Sequence, residues 1–172
     1  MPSNIEIKLA VSDRSSLESL VQPLADSGPE LLVQEDIFFC TDSGRLKLRI
    51  INQEYAELIH YHRPNIAGIR QSVYVRTPVP EPDALQAILA ETMGQLGIVR
   101  KRRTLYLIGQ TRVHLDEVEQ LGSFLELEVV LKEGQASEAG EQIATQLLEK
   151  LQLSNEPLIA GAYLELIQSK QR

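Results

Sequence analysis

The chain has 172 residues, and 17 Lys and Arg against 24 Asp and Glu leave a formal net charge of −7. That length suits a single domain over residues 1–172, and 43% hydrophobic with 24% charged residues excludes global disorder. No apolar run approaches the roughly 18 to 20 residues of a membrane span, and the start Met1-Pro2-Ser3-Asn4 lacks the basic and apolar regions of a signal peptide. The expectation is therefore a cytoplasmic protein without a membrane partner. Cys40 stands alone, which excludes an intrachain disulfide and a cysteine-built zinc site. A sequence pI near 5.0 argues against a nucleic-acid partner, because duplex binding needs a concentrated basic surface. Any basic site must be local and enclosed.

Residues 4–11 alternate polar and apolar over their first six positions, which predicts a half-buried strand. Ser12 or Asp13 then caps a helix with Leu17, Leu20, Val21 and Leu24 on one face, stopped by Gly28-Pro29. Alternating runs return at 31–40, 45–51, 56–63 and 70–77, separated by Asp42-Ser43-Gly44, Asn52-Gln53-Glu54 and Pro64-Asn65 leading to Gly68. This reads as an antiparallel meander. Pro80 and Pro82 introduce a helix with Leu85, Ile88, Leu89, Met93 and Leu96 on one stripe and Gly97 as its C-cap. Three more strand runs, at 98–108, 111–117 and 124–132, with a Gly109-Gln110 hairpin turn, complete a predicted set of eight. Ser137 caps a helix carrying Ile143, Ala144, Leu147, Leu148 and Leu151, and residues 158–167 predict a last one. The fold class is α+β.

The parity of the charges is more informative. Asn4, Glu6 and Lys8 share one strand face and Ile5, Ile7 and Leu9 the other, because successive side chains of a strand point to opposite sides. Arg45, Lys47 and Arg49 are sorted the same way, as are Arg70, Ser72, Tyr74 and Arg76, then Arg112, His114 and Asp116, then Glu126 and Glu128. Lys101 and Arg103 share a face with Val99. One solvated face accounts for alternation, but it does not require the mostly cationic character of these faces in an acidic protein. Eight strands also expose edges unless they close, and closure would wrap the charged face into a lumen. Buried like charges cost several kcal/mol per ion unless paired, at roughly that order, so a cationic lumen predicts a polyanionic ligand and an acid cluster on one side predicts a divalent metal.

These residues resemble the CYTH superfamily, the triphosphate tunnel metalloenzymes, over nearly the whole chain. The resemblance rests on Asn4-Ile5-Glu6-Ile7-Lys8, on Asp36 with Phe38 and Phe39, and on Gly44-Arg45-Leu46-Lys47-Leu48-Arg49. It continues through Arg63-Pro64, Arg70 and Val99-x-Lys101-x-Arg103, and is most specific in Arg112-Val113-His114-Leu115-Asp116-Glu117-Val118 followed by 121–128. Two positions depart from the pattern: Asn4 replaces a glutamate, and His62 stands where a basic residue is common, making phosphate affinity pH-dependent.

The resemblance implies an eight-stranded antiparallel β-barrel, or tunnel, with helices packed outside. It further implies phosphate contacts from Lys8, Lys47, Arg49, Arg63, Lys101, Arg103 and Arg112, and Mg²⁺ or Mn²⁺ held by Glu6, Glu126 and Glu128 with Asp116 in second rank. Catalysis would fall to Glu6, Lys8, Arg63 and Glu128, and the implied substrate is ATP, inorganic triphosphate or thiamine triphosphate. Two reactions stay open. In one, an adenylyl cyclase, the ribose hydroxyl of ATP attacks the α-phosphorus; in the other a metal-oriented water hydrolyses a triphosphate. The scarcity of aromatic residues, 5%, slightly favours the compact substrate, and a core or strand-pairing role is the expectation for Tyr55, Tyr61, Tyr74, Tyr106 and Tyr163. A non-catalytic polyphosphate or nucleotide binder is the alternative, and family habit implies a homodimer with no interface identified.

Overall fold

Each alternating run becomes a strand in the computed structural model, which describes all 172 residues. The strands are β1 (Ser3–Ala10), β2 (Ser27–Phe39), β3 (Arg45–Ile51), β4 (Tyr55–His62), β5 (Arg70–Pro78), β6 (Gln95–Ile108), β7 (Thr111–Val118) and β8 (Gly122–Val130). They close into one antiparallel barrel in the order β1-β5-β4-β3-β2-β6-β7-β8, so no strand is left with an open edge. The helices are α1 (Arg14–Val21), α2 (Pro82–Thr92), α3 (Ser137–Lys150) and α4 (Tyr163–Lys170), and none is long and apolar enough to cross a membrane.

Closure fixes what parity means: one set of side chains points into the barrel and the other outward under the helices. The largest apolar cluster joins Ile5, Ile7, Leu9, Val113, Leu115, Leu125, Leu127 and Val129 to Leu17 and Val21 of α1 and Ala144, Leu147, Leu148 and Leu151 of α3. A second cluster sets Ile37, Phe39 and Leu48 under Leu85 and Leu89 of α2. The third lies at one end of the barrel, where Phe38, Val99, Val118 and Phe124 meet Tyr163, Leu164 and Ile167 of α4. Most of the core thus lies outside the barrel, and the charged residues of the strands are left to the lumen, which Phe38, Val99 and Tyr163 of the third cluster also line. Gly44 makes the tight turn between β2 and β3 at φ +70°, where a Cβ would stand 2.7 Å from the Tyr61 carbonyl oxygen.

Several element boundaries differ from the sequence reading. Asp13 is the N-cap of α1, accepting from the Ser16 N–H, but a 3₁₀ turn over Gln22–Leu24 ends the helix and Gly28-Pro29 lies inside β2. The second helix stops at Thr92, and Gly94, at φ +88°, takes the C-terminal role expected of Gly97. Leu96 and Gly97 belong to β6, because Gln95 and Gly97 pair with Phe39 and Phe38 in the ladder and that pairing outweighs the helical stripe. Ala136, not Ser137, caps α3, since the Ser137 hydroxyl turns to Glu138. Finally, α4 begins at Tyr163 rather than 158, because the Ile159 N–H donates to the Lys8 carbonyl and holds that stretch extended along β1.

Candidate active site

The barrel encloses a cavity of about 520 Å³, a size that holds a small molecule. Eight basic and five acidic side chains line it, so the lumen is cationic inside a protein of net charge −7. Lys8, Lys47, Arg49, Arg63, Lys101, Arg103 and Arg112 are all among them, and so are Glu6, Glu126 and Glu128.

On the β2-β3-β6 wall the charges are matched. Arg49 donates to both oxygens of the buried Asp36, at 2.7 and 2.8 Å, while Lys101 and Lys47 reach the same carboxylate at 3.2 and 3.4 Å. Burial alone would raise the Asp36 carboxyl, but Arg49, Lys101 and Lys47 hold it well below the usual carboxylate range. Arg103 makes the same two-pronged contact with Asp116 on β7, at 2.7 and 2.8 Å. Asp116 accepts also from the Tyr163 hydroxyl at 2.8 Å and is not among the residues lining the cavity, although it shares the Arg103 guanidinium with Glu126, 3.7 Å from it. Burial pushes Lys101 down to about 7, opposed by Asp36 and reinforced by Arg103 and Arg49.

On the β5-β1-β8-β7 wall the matching fails. Cross-strand pairing sets Arg70, Glu6, Glu128 and Arg112 side by side on four neighbouring strands, with Lys8, Glu126 and His114 in the next row. Burial, then the Glu126 and Glu6 carboxylates, push Glu128 up to about 7. Burial likewise pushes Lys8 down to about 7 despite Glu126 at 3.9 Å. Arg63 donates to Glu6 at 2.8 Å, and Arg112 stands 3.7 Å from Glu128. Arg70 is only 2% exposed, yet none of its three guanidinium nitrogens has a hydrogen-bond partner. The Asn4 side-chain oxygen and both ring nitrogens of His114 are buried without partners as well. Burial and then Arg103 hold the His114 imidazole well below its ordinary pKa, hence neutral.

Three carboxylates and a spare amide oxygen on one wall form a hard oxygen donor set, and the crowding that raises Glu128 is relieved by a divalent cation. The residues therefore fit Mg²⁺ or Mn²⁺.

The C-terminal segment closes one end of the lumen. The Gly161 carbonyl accepts from Lys8 and Arg63 at 3.3 Å each, and the Tyr163 ring lies 4.0 Å from the Lys8 ammonium and 5.3 Å from that of Lys101. Arg45 pairs with Glu165 of α4 at the same end. At the other end Ile51, Tyr55, Tyr74, Arg76 and Pro78 line a mouth where Tyr55 is 46% exposed.

His62 does not join the site. Odd-numbered residues of β4 face the lumen, so His62 is exposed on the outer face, edge-on to His60 at 4.9 Å, and it cannot tune phosphate affinity from there. Tyr55, Tyr61, Tyr74 and Tyr163 line the cavity, Tyr61 and Tyr74 while also paired across β4 and β5 and Tyr163 while packed in the third apolar cluster, and Tyr106 lies outside it in the largest cluster. Sequence reasoning left Asp36, Arg70 and His114 without roles, although parity marked Arg70 and His114 and the resemblance included Asp36.

A closed antiparallel barrel with a cationic lumen, one acidic wall and a plugged end is a tunnel built to hold a polyanion. A family model described as the CYTH domain matches residues 3–163, and the chain belongs to that family. It is 25% identical over 174 residues to a Methanocaldococcus jannaschii protein named as a candidate adenylate cyclase, covering 94% of this chain and 97% of that one. Among solved structures it is similar to the PH1012 protein of Pyrococcus horikoshii, with TM-score 0.82, 24% identity, and coverage of 95% and 99% of the two chains. It is also similar to a Hippeastrum protein described as a candidate adenylyl cyclase with a dominant triphosphatase activity, with TM-score 0.68, 18% identity, and coverage of 97% and 96%. At such identities the structural likenesses establish the fold.

Proposed function

We propose that this chain is a divalent-metal-dependent enzyme acting on a triphosphate-bearing substrate held in the tunnel. The observation that carries the reading is the net cationic lumen with Glu6, Glu126 and Glu128 gathered on one wall. Lys8, Lys47, Arg49, Arg63, Lys101, Arg103 and Arg112 bind the phosphate oxygens, and Arg70 joins them. Arginine meets phosphate through paired N–H groups and lysine as a compact charge, so the mixture suits a chain of phosphates better than a single one. Glu6, Glu126 and Glu128 hold Mg²⁺ or Mn²⁺, which when bound neutralises charge on the phosphates and makes bound water acidic. Asp36 and Asp116 fix Arg49, Lys101 and Arg103 before the substrate arrives, so less ordering is left to the binding event.

The closed end gives the substrate a direction: phosphates run inward toward Tyr163, and any organic group stays at the Tyr55 and Tyr74 mouth. Hydrolysis of the terminal phosphoryl group is the reaction this supports best. Water bonds to phosphorus, the bridging P–O bond breaks, and nothing beyond the phosphate chain is required of the lumen. The apolar and aromatic mouth of Ile51, Tyr55, Tyr74 and Pro78 favours a second reading, in which a nucleoside seats there, its ribose hydroxyl attacks the α-phosphorus, the bridge to the β-phosphorus breaks and pyrophosphate leaves.

Phosphorus NMR of the protein with inorganic triphosphate, ATP and thiamine triphosphate, each with Mg²⁺ or Mn²⁺, tests the proposal. Orthophosphate with a shortened chain is expected. Cyclic AMP with pyrophosphate would select the cyclase, and absence of product with all three would leave a non-catalytic binder whose metal site Asn4 has weakened.

A further inference from the structure

Among the buried polar groups on the β5-β1-β8-β7 wall, His114 has no use in the scheme above. It is fully buried, at 0% exposure, and neither ring nitrogen has a hydrogen-bond partner. On β7 it stands between Leu105 of β6, which offers no polar atom, and Glu126 of β8. Its Nδ1 is 3.9 Å from Glu128 Oε1, too far for a hydrogen bond, so the carboxylates do not satisfy it. One nitrogen of His114 and one oxygen each of Glu126 and Glu128 nevertheless all lie within 4.8 Å of one another. Two ligands of a single ion at about 2.1 Å lie at most about 4.2 Å apart, so side-chain adjustments on the order of an ångström bring these three atoms around one ion.

We propose that His114 is a metal ligand, and that with Glu126 and Glu128 it forms a mixed nitrogen and oxygen site preferring Mn²⁺ or a later first-row divalent cation to Mg²⁺. The inference rests on the reading of this wall as metal-binding and deepens it. A neutral imidazole offers one lone pair, which a divalent cation takes while the other nitrogen keeps its proton. Imidazole suits borderline transition cations, whereas Mg²⁺ prefers oxygen and surrenders its waters reluctantly. Asn4 acts in the same direction: where a glutamate would add a further carboxylate for a hard cation, it leaves a neutral amide. The site is therefore poorer in oxygen charge and contains one nitrogen.

Pulsed electron paramagnetic resonance of Mn²⁺ added to the full chain reads the ligand directly, independently of turnover. The expected result is a nitrogen-14 modulation of the imidazole type in the native protein, lost in His114→Leu. Competition titrations should then show Mn²⁺ affinity falling about tenfold or more in His114→Leu, with Mg²⁺ affinity changing less. If His114→Leu does not fold, the nitrogen signal of the native protein decides alone. Mn²⁺ that binds, and is weakened by Glu128→Gln, but shows no nitrogen modulation would overturn the histidine ligand and leave the carboxylate site standing. No Mn²⁺ binding by the native protein would overturn both.

Discussion

The two walls of the tunnel use the same residue types to opposite ends. On the β2-β3-β6 side every buried charge has its partner: Asp36 takes Arg49, Lys101 and Lys47, and Asp116 takes Arg103 and Tyr163. On the β5-β1-β8-β7 side Arg70, Asn4 and His114 have none, and Glu128 is crowded by two other carboxylates. A buried polar group without a partner costs about 1–3 kcal/mol, and more when charged. A wall carrying several of them is built for something that binds, whereas the matched wall is built to hold its cations still.

That contrast is exposed to four tests. The largest effect is expected from Glu128→Gln, which should lower kcat by about a hundred- to a thousandfold in steady-state assays while leaving the melting temperature unchanged or higher, since it relieves crowding. Unchanged kcat would remove the acidic wall from the mechanism. Next come two arginines. Arg49→Met strips Asp36 of its two-pronged partner and should cost about 3–5 kcal/mol in urea denaturation, because it leaves a buried charge undercompensated. Arg70→Met removes a cation that has no partner, so stability should hold or rise while triphosphate affinity by calorimetry falls about tenfold. Equal destabilisation by the two would erase the distinction between the walls.

The third test is pH. Lys101 sits near 7 in the folded protein against 10.5 when free, so between those values the unfolded chain carries a proton that the folded one lacks, and stability rises with pH. Glu128 sits near 7 against 4.5, so the folded protein holds the extra proton and its contribution to stability falls from pH 4.5 to 7. Below about 6.5 His114, held neutral when folded, opposes Glu128, so ligand-free protein in chelator should change little from pH 4.5 to 7 and gain stability from 7 toward 10.5 through Lys101 and Lys8, and Mn²⁺ with triphosphate should flatten that rise. A flat profile without ligand would count against the buried, strained charges. The smallest effect is Tyr163→Phe, which removes one hydrogen bond to Asp116 and should lower the unfolding free energy measured in urea by about 1 kcal/mol.

Much of this was legible in the chain itself. Period two in Asn4 to Lys8, Arg45 to Arg49 and Glu126 to Glu128 marked both the strands and the lumen face, because the alternation of a strand is a geometric necessity. Helix ends were not: Leu96 and Gly97 continue the apolar stripe of α2, but ladder pairing with β2 claims them. His62 fails for want of one residue of parity, sitting beside Arg63 but on the other face. The closing of the tunnel by Gly161 and Tyr163 joins positions more than 100 residues apart from β1, as the 153-residue separation of Lys8 and Gly161 shows, and no local pattern records such a meeting. His114 was on a marked face and Asp36 was quoted only for the resemblance, and their different fates, Asp36 satisfied three times over and His114 not at all, depend on neighbours that only the barrel brings together.

The most direct measurement is a crystal structure of the protein with a non-hydrolysable imido analogue of inorganic triphosphate and Mn²⁺, using the anomalous signal of manganese to locate the ion. The analogue is expected inside the barrel with its oxygens on Arg63, Arg70 and Lys8, and the ion between it and Glu126 and Glu128. An analogue bound at the Tyr55 mouth or outside the barrel, with Arg70 still unpartnered, would contradict the assignment of the unmatched wall to substrate and metal.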